Sequence, residues 1–473
     1  MSSSIIGPSG HHLSSLFPAR KYILLFEYTL REVIKLVVRA KKDADALKAC
    51  LSRFYGDWSI PVYTLKGVRS ADKVLDRLSE ILDEESFIIV LLGREEEYLK
   101  SIEENLPLNV VVHVLPKARV RNTRIIQIAR EIERAKSVLR TSVFWVNAYV
   151  FYHRVRGGVK LSIENEPAYD LFLGLGERFL DNLEKVLGEK IPPIPLLVRK
   201  FGGEHYVFSG PRLVGYLKIP DLGVPSGEIL STDFYEVGVD DLLKSNDMYL
   251  KLFEKIALAL LKRLSGFDDI IVPWSAGKDS TAALFLAVKA YGVKRITAVY
   301  VDTGVDFPCN LEYVEKMSKR LGVRLEVTEA NIDKALEEKG LPTNENRWCT
   351  KMKIKALYKK IREISRGKTL IVVGDRDAES ELRSKRPFVR IHKEFTQVAP
   401  LKLWSGSHVQ LYLLKNNIPL NPLYLEGFYR LGCFICPALR SWEIMVLKNN
   451  LKLIPQSQLD LFNSFLKHRE EPT

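Results

Sequence analysis

Ile270-Ile-Val-Pro-Trp-Ser-Ala-Gly-Lys-Asp-Ser-Thr-Ala-Ala-Leu284 joins a short apolar run to a small-residue loop and then to apolar residues at helical spacing. The run reads as a buried strand and Ser280 opens a helix. A strand, a tight loop and a helix start together make a phosphate cradle. Unpaired N–H groups and the positive end of the helix dipole face whatever sits in the loop. Small residues let the backbone approach an anion closely. Lys278 adds a point charge, and Ser275 and Ser280 add hydroxyls. The loop is not a Walker A site, because Val272 stands where that motif needs Gly and Asp279 follows the Lys.

Working outward, the chain continues in the same idiom. Residues 295–301 read as a second strand that ends in Asp302-Thr-Gly-Val-Asp-Phe-Pro308. Residues 369–373 read as a third, running into Gly374-Asp-Arg-Asp-Ala-Glu-Ser-Glu-Leu-Arg-Ser-Lys-Arg386. Acidic and small residues just past strand ends are where an open α/β sheet binds ligands. Further on come Ala399-Pro-Leu-Lys-Leu-Trp404 and Asn421-Pro-Leu-Tyr424, and then Gly432-Cys-Phe-Ile-Cys-Pro437.

The loop Ser275-Ala-Gly-Lys-Asp-Ser280 resembles the Ser-Gly-Gly-x-Asp-Ser loop of the PP-loop ATP pyrophosphatase superfamily, with Ala276 in place of the middle Gly. The ordered set of segments resembles the phosphoadenosine phosphosulfate (PAPS) reductase family within it. The resemblance covers roughly residues 265–445 and is most specific in the last segment, Asn-Pro-Leu-Tyr before Gly-Cys-x-x-Cys-Pro. It implies an α/β fold, a doubly wound parallel sheet with an adenosine nucleotide, ATP or PAPS, across its carboxyl edge. Ser275, Ala276, Gly277, Lys278, Asp279 and Ser280 are then expected to hold phosphate, with Lys278, Asp279 and Ser280 nearest the chemistry. Asp302 and Gly304 are expected near the nucleoside. Gly374 and Arg376 are expected to bracket the adenosine, supported by Glu379 and Ser380. Arg383 and Arg386 point to a phosphate or sulfate end, since guanidinium forks suit oxyanions. Lys385 reads as solvated.

Five Cys in a long chain without a secretion signal suit a reducing, cytoplasmic compartment. Cys433 and Cys436 have the spacing that lets two thiolates grip one metal or cluster, and Cys349 offers a third ligand from another loop. Some family members bind a four-iron, four-sulfur cluster through four Cys; this chain has a single Cys at 349 where they carry a pair. Three ligands on a [4Fe-4S] cluster leave one iron open for a sulfide, as in certain tRNA-thiolating enzymes of the superfamily. Zinc completed by a His such as His408, a redox dithiol, and inert packing are the other readings. Cys50 falls on an apolar helical stripe, and Cys309 is a bystander beside the Asp302 loop.

Reductases of the family carry a nucleophilic Cys in a C-terminal tail, and residues 437–473 contain none. That favours attack on the α-phosphate of ATP, adenylating an acceptor and releasing pyrophosphate. Mg²⁺ held by Asp279 or Asp302 would share the charge. The leading expectation is therefore ATP-dependent adenylation coupled to sulfur transfer, with RNA, tRNA among the candidates, as acceptor. A sulfonucleotide reductase releasing sulfite and a non-catalytic nucleotide- or RNA-binding module are the alternatives. The sulfur or electron donor and the oligomeric state are not legible.

Net charge is +13 over 473 residues, and from residue 341 onward 23 Lys and Arg face 12 Asp and Glu. Basic excess on the catalytic half suits a polyanionic partner. A second basic run, from Lys117 through Arg119, Arg121, Arg124, Arg130, Arg134 and Lys136 to Arg140, reads either as a nucleic-acid contact or as a solvated helix face. The rest of the N-terminal half is α/β or α+β in one or two smaller domains. Strands are expected at 21–28, 86–92 and 110–115, and helices at 44–55, 71–82, 122–139 and 168–186. Strands follow at 159–163 and 196–200, then a hairpin at 204–219 and a linker at 220–231. These give domains at 1–116, 117–235 and 236–473, the second presenting a substrate or RNA. Residues 1–12 are rich in Ser and Gly and read as disordered. No run approaches the roughly 20 apolar residues of a membrane span.

Overall fold

The structure, a computed structural model, describes residues 33–470. The expectations for residues 1–12 and 21–28 lie outside that range. The first sheet contains β1 (Ile34–Val38), β2 (Val62–Thr64), β3 (Phe87–Leu92) and β4 (Val110–Val114) in the order β2-β1-β3-β4. Every pairing in it is parallel. β1 and β3 are buried along their whole length, which is why they read as continuous apolar runs rather than alternating ones. The helix Lys41–Phe54 turns Ala44, Leu47 and Cys50 inward, so Cys50 is a core residue. A three-stranded ribbon follows, formed by β5 (Phe144–Trp145), β6 (Tyr149–Val150) and β7 (Val159–Lys160).

The next sheet is antiparallel throughout: β8 (Asp170–Leu173), β9 (Leu196–Arg199), β10 (Glu204–Ser209), β11 (Arg212–Lys218) and β12 (Ser226–Ile229), in the order β12-β11-β10-β9-β8. Two expectations are corrected here. The helix expected over 168–186 is a buried strand at β8, followed by a helix only at Glu177–Leu187. Gly174 and Gly176 part the two, and Gly176 takes a positive φ of 93° that suits Gly. The linker expected at 220–231 contains β12, an edge strand paired with β11. Its polar sequence reflects exposure, not absence of structure.

The C-terminal half holds a six-stranded sheet of β13 (Asp269–Pro273), β14 (Ile296–Asp302), β15 (Arg324–Glu329), β16 (Thr369–Val372), β17 (Val389–His392) and β18 (Phe395–Val398). The order is β15-β14-β13-β16-β18-β17, parallel except for β17 against β18. This is the doubly wound α/β sheet implied by the resemblance. The chain winds outward from β13 through β14 to β15, then resumes on the other side at β16. The crevice between the carboxyl ends of β13 and β16 is the topological switch point, where such sheets bind ligands.

β8 welds the antiparallel sheet to the C-terminal half. Its free edge meets the helix Gly406–Lys415, where the Gln410 side chain both accepts from Leu173 N–H and donates to Leu173 C=O, each at 2.9 Å. A side-chain amide thus replaces the missing neighbouring strand. One buried apolar cluster runs from Ile34 in the first sheet through Phe151 and Leu171 to Tyr424. The proposed boundaries at 116 and 235 fall between sheets, yet the core passes across both.

The basic run on the helix Ile125–Thr141 is also corrected. Lys136 and Arg140 are each only 1% exposed, so neither is a solvated residue or a nucleic-acid contact. Lys136 Nζ lies 2.9 Å from the Asp377 carboxylate, which Lys402 Nζ meets from the other side at 2.5 Å. The indole of Trp58 lies over both ammonium groups, at 4.8 and 5.3 Å. Arg119 and Arg121 pair with Glu95 and Asp43. No helix among the described residues is long and apolar enough to cross a membrane.

Candidate active site

β13 delivers Trp274 and the loop Ser275–Ser280 to the switch point, and the helix Lys278–Tyr291 begins there. Ala276 sits in the left-handed region with φ of 62°. A non-Gly residue bears about 1–2 kcal/mol of strain there, and the superfamily motif places Gly at that position. The loop is locked by its own hydroxyls: Ser280 Oγ accepts from Ser275 N at 3.2 Å and shares a hydrogen bond with Ser275 Oγ at 3.1 Å. Trp274 Nε1 donates to Thr281 Oγ1 at 3.0 Å. The amides of Gly277, Asp279 and Ser280 have no hydrogen-bond partner among the described residues. They are the orphan donors an anion would take.

The turn after β16 presses against this helix start. A Cβ on Gly374 would lie 2.7 Å from the Asp279 carbonyl carbon and 2.8 Å from Ser280 N, so only Gly fits. Two residues on, Arg376 is 3% exposed and points its guanidinium back across the switch point. Arg376 Nε donates to Asp279 Oδ1 at 2.6 Å, and Asp279 Oδ2 holds Lys278 Nζ at 2.8 Å. Arg376 Nη1 binds both oxygens of Asp170, the first residue of β8. The result is an alternating chain of four charges, Lys278–Asp279–Arg376–Asp170. Burial alone would raise the Asp170 carboxyl, but Arg376, Arg199 and Lys278 override it and hold it down at about 2. Asp279 is likewise lowered against burial, by Arg376 and Lys278. With both its oxygens committed to cations, Asp279 is a poor metal ligand, and Asp302 is the more suitable of the two candidates.

Two members of this site are not legible as such in the sequence. Asp170 falls inside the mistaken helix. Tyr424 stands in the Asn-Pro-Leu-Tyr segment with nothing in the pattern to give it a role. Its buried hydroxyl accepts from Lys278 N–H at 3.0 Å, and Lys278 Nζ lies 5.8 Å from its ring centre. Burial and the nearby Asp279 keep that phenol protonated.

Asp302 ends β14, and its carboxylate accepts from Gly304 N at 2.9 Å. Gly304 has φ of 76° and touches Asp333, where any Cβ would clash at 2.4 Å. Glu379 Oε2 accepts from Arg376 N at 3.0 Å, and Ser380 caps the short helix Glu381–Ser384. Arg383 and Arg386 converge on Asp375, joined by Arg390 at 3.0 Å. Arg383 also pairs with Glu379. Three guanidinium groups on one carboxylate leave positive charge for an anion. Lys385 pairs with exposed Glu381.

The cysteine segment lies at the same sheet edge, where Phe434 N–H donates to Val305 C=O at 3.3 Å in the loop after β14. Cys349, in the first turn of the helix Trp348–Ile364, lies near Cys436, which neighbours Cys433, while the half-buried Cys309 shares only the surrounding apolar core. Cys433 hydrogen-bonds to Cys436, which pulls Cys436 down to about 6 and pushes Cys433 well up. Burial and the neighbouring Cys436 raise Cys349. Arg430 and Arg347 add positive charge beside Cys436. The donors are of the right kind for a thiophilic metal or cluster. As they stand, no three His, Cys, Asp or Glu among the described residues are set around one ion. His408 is not part of this group: its nitrogens bind Phe151 C=O at 3.0 Å and Ser405 Oγ at 2.7 Å, at the junction with the accessory ribbon.

Comparison with known proteins finds likeness over this sheet. Residues 269–439 match the phosphoadenosine phosphosulfate reductase domain family. The match covers the strands β13, β14, β15, β16, β17 and β18 and the cysteine segment, and makes this part of the chain similar to that domain. An uncharacterised protein of Methanocaldococcus jannaschii is 33% identical over 225 residues, 46% of either chain. The phosphoadenosine 5′-phosphosulfate reductase of Shewanella oneidensis is 27% identical over 159 residues, 32% of this chain and 64% of that one. The chain thus spans about half to two thirds of these relatives' length. The crystal structure of a PAPS reductase from Candida auris superposes with a TM-score of 0.32 at 18% identity, over 43% of this chain and 96% of the other.

Proposed function

We propose that the protein is an adenosine-nucleotide-dependent enzyme of sulfur transfer, with the nucleotide's phosphates at residues 275–280 and its sulfur chemistry at Cys349, Cys433 and Cys436. The observation that carries this reading is one sheet edge bearing both an anion-ready loop and a group of thiols, one of them shifted to about 6. In the leading form, ATP binds with Lys278 and the loop amides on its phosphates. An acceptor attacks the α-phosphate, pyrophosphate leaves, and sulfur then displaces AMP. Mg²⁺ on Asp302 would share the leaving charge. A [4Fe-4S] cluster on the three Cys belongs to the proposal, but the thiols are not set around one centre and none of these steps depends on it. RNA is the acceptor class we favour.

The second form is reduction of a sulfonucleotide, favoured by the names of the relatives and by the acidic Cys436, a thiolate nucleophile at neutral pH. Incubation with labelled ATP and, separately, labelled PAPS separates the two. Pyrophosphate from ATP supports the first, and sulfite from PAPS the second. Binding without either product leaves a nucleotide-binding module. Lys278→Ala should weaken nucleotide binding at least tenfold while the fold persists, and unchanged affinity would remove the site. Anaerobic iron and sulfide analysis of wild type and Cys433→Ala tests the cluster: about four irons, absent from the variant, are expected. Zinc without iron would rule it out.

A further inference from the structure

The helix Trp348–Ile364 turns Cys349 inward and shows solvent a different chemistry. Residues 345–363 hold seven Lys and Arg against two acids, Glu345 and Glu363. Lys351, Lys355 and Lys359 recur at every fourth residue, with Arg347 one step earlier, and all four are exposed. Four-residue steps along a helix put the heads on one side, about 6 Å apart. None of the four has an acidic partner among the described residues. Exposed cations elsewhere commonly do: Arg77 with Glu80, Lys251 with Asp247, Lys385 with Glu381. The acids nearest this helix are already engaged, Glu326 and Glu363 by Lys360 and Glu394 by Arg362. Like charges four residues apart oppose helix formation, so the row is a liability unless something anionic lies along it.

We infer that this row docks the phosphate backbone of a nucleic-acid strand and leads it to the cysteine cluster. A regular line of ammonium charges suits a polymer with regularly spaced phosphates, and lysine meets phosphate as a point charge. The face offers Ile354 as its one exposed large apolar group and no aromatic for stacking, so binding is to backbone and independent of sequence. The row begins two residues from Cys349, with exposed Arg430 also beside the thiols. This moves the nucleic-acid surface from the helix at 125–141, where Lys136 and Arg140 are buried, to the catalytic half. It deepens the proposed reaction by giving the acceptor's class, and rests on that reading for what happens at the thiols.

The test is fluorescence anisotropy with a labelled single-stranded oligoribonucleotide, without ATP, across a salt series. Duplex DNA and polyglutamate serve as comparison ligands. Wild type should bind RNA, and Lys351→Glu/Lys355→Glu/Lys359→Glu should bind it about tenfold or more weakly. The slope of log affinity against log salt should become shallower by about 2, roughly 0.7 for each phosphate no longer neutralised. Lys355→Gln alone should shift it by about 0.7, which keeps the test open if the triple variant folds poorly. Equal binding of duplex DNA keeps the backbone reading and drops the preference for RNA. An unchanged slope in both variants, no RNA binding by wild type, or polyglutamate binding as tightly as RNA would overturn the inference, the last pointing to an acidic protein. Lys278→Ala should leave RNA binding intact, so this inference and the nucleotide site fail separately.

Discussion

Arg376 Nη1 lies 2.9 and 3.0 Å from the two carboxylate oxygens of Asp170, joining residues 206 positions apart. The partner is a residue of the antiparallel sheet, so the accessory half supplies one wall of the switch-point crevice. Removing the charge leaves Arg376 with Asp279 alone in a buried setting. Asp170→Asn should cost about 3 kcal/mol, the lower end for breaking a buried pair. The sign with pH follows from the depressed carboxyl. Its contribution is full above the unfolded value near 3.9 and is lost as pH falls toward about 2. Urea unfolding between those limits should show wild type losing stability that the Asn variant never had. Parallel curves would exclude the pairing.

Tyr424 meets the loop at a donor that a phosphate could also use. Tyr424→Phe leaves Lys278 N–H buried without its acceptor, a loss of about 1–3 kcal/mol. A bound nucleotide can refill that donor. Saturating ATP or PAPS should therefore raise the melting temperature of the variant more than that of wild type. Equal shifts would mean that the hydroxyl and the nucleotide do not share the amide.

Cys436 should alkylate with iodoacetamide at a rate that rises through about pH 6. The cause is the hydrogen bond from Cys433, so Cys433→Ala should move the midpoint up toward the ordinary thiol range near 8.5. Mass spectrometry of the labelled peptide reads this directly. An unmoved midpoint would transfer the effect to Arg430 and Arg347.

Asp377 neutralises two buried ammonium groups, those of Lys136 and Lys402. Asp377→Asn leaves Lys402 without a carboxylate, while Lys136 keeps Glu133 at 3.0 Å, and should destabilise by about 3–5 kcal/mol. Denaturant titration measures it. Asp377→Asn with Lys402→Met should recover part of the loss, because the unpaired cation goes with its partner.

The six-stranded sheet was legible because a parallel sheet writes itself in short apolar runs, each followed by small or charged residues at a strand end. β13, β14 and β16 all follow that rule. The accessory half obeys other rules. β8 is a four-residue buried strand with no alternation, and periodicity cannot separate such a run from a helix turn. Gly174 and Gly176 were the signal that could have done so. β12 hid for the opposite reason, a polar edge that resembles a loop. Lys136 and Arg140 misled because sequence shows charge but not its counter-charge, and Asp377 lies more than 230 positions away. Asp170 was missed for the same reason, its partner Arg376 being distant in the chain.

The apolar interior that passes from β1 through β8 to the helix Gly406–Lys415 has a practical corollary. A fragment cut at residue 236 would lose the Leu173 amide and carbonyl that satisfy Gln410, along with the Asp170 end of the charge chain. It would also lay bare the face of Phe253 that now packs on Phe87 with ring centres 5.4 Å apart. The half that looks self-sufficient by sequence should aggregate when expressed alone, and co-expression with residues 33–235 should restore it. What resembles an appendage is the inner lining of the switch-point crevice.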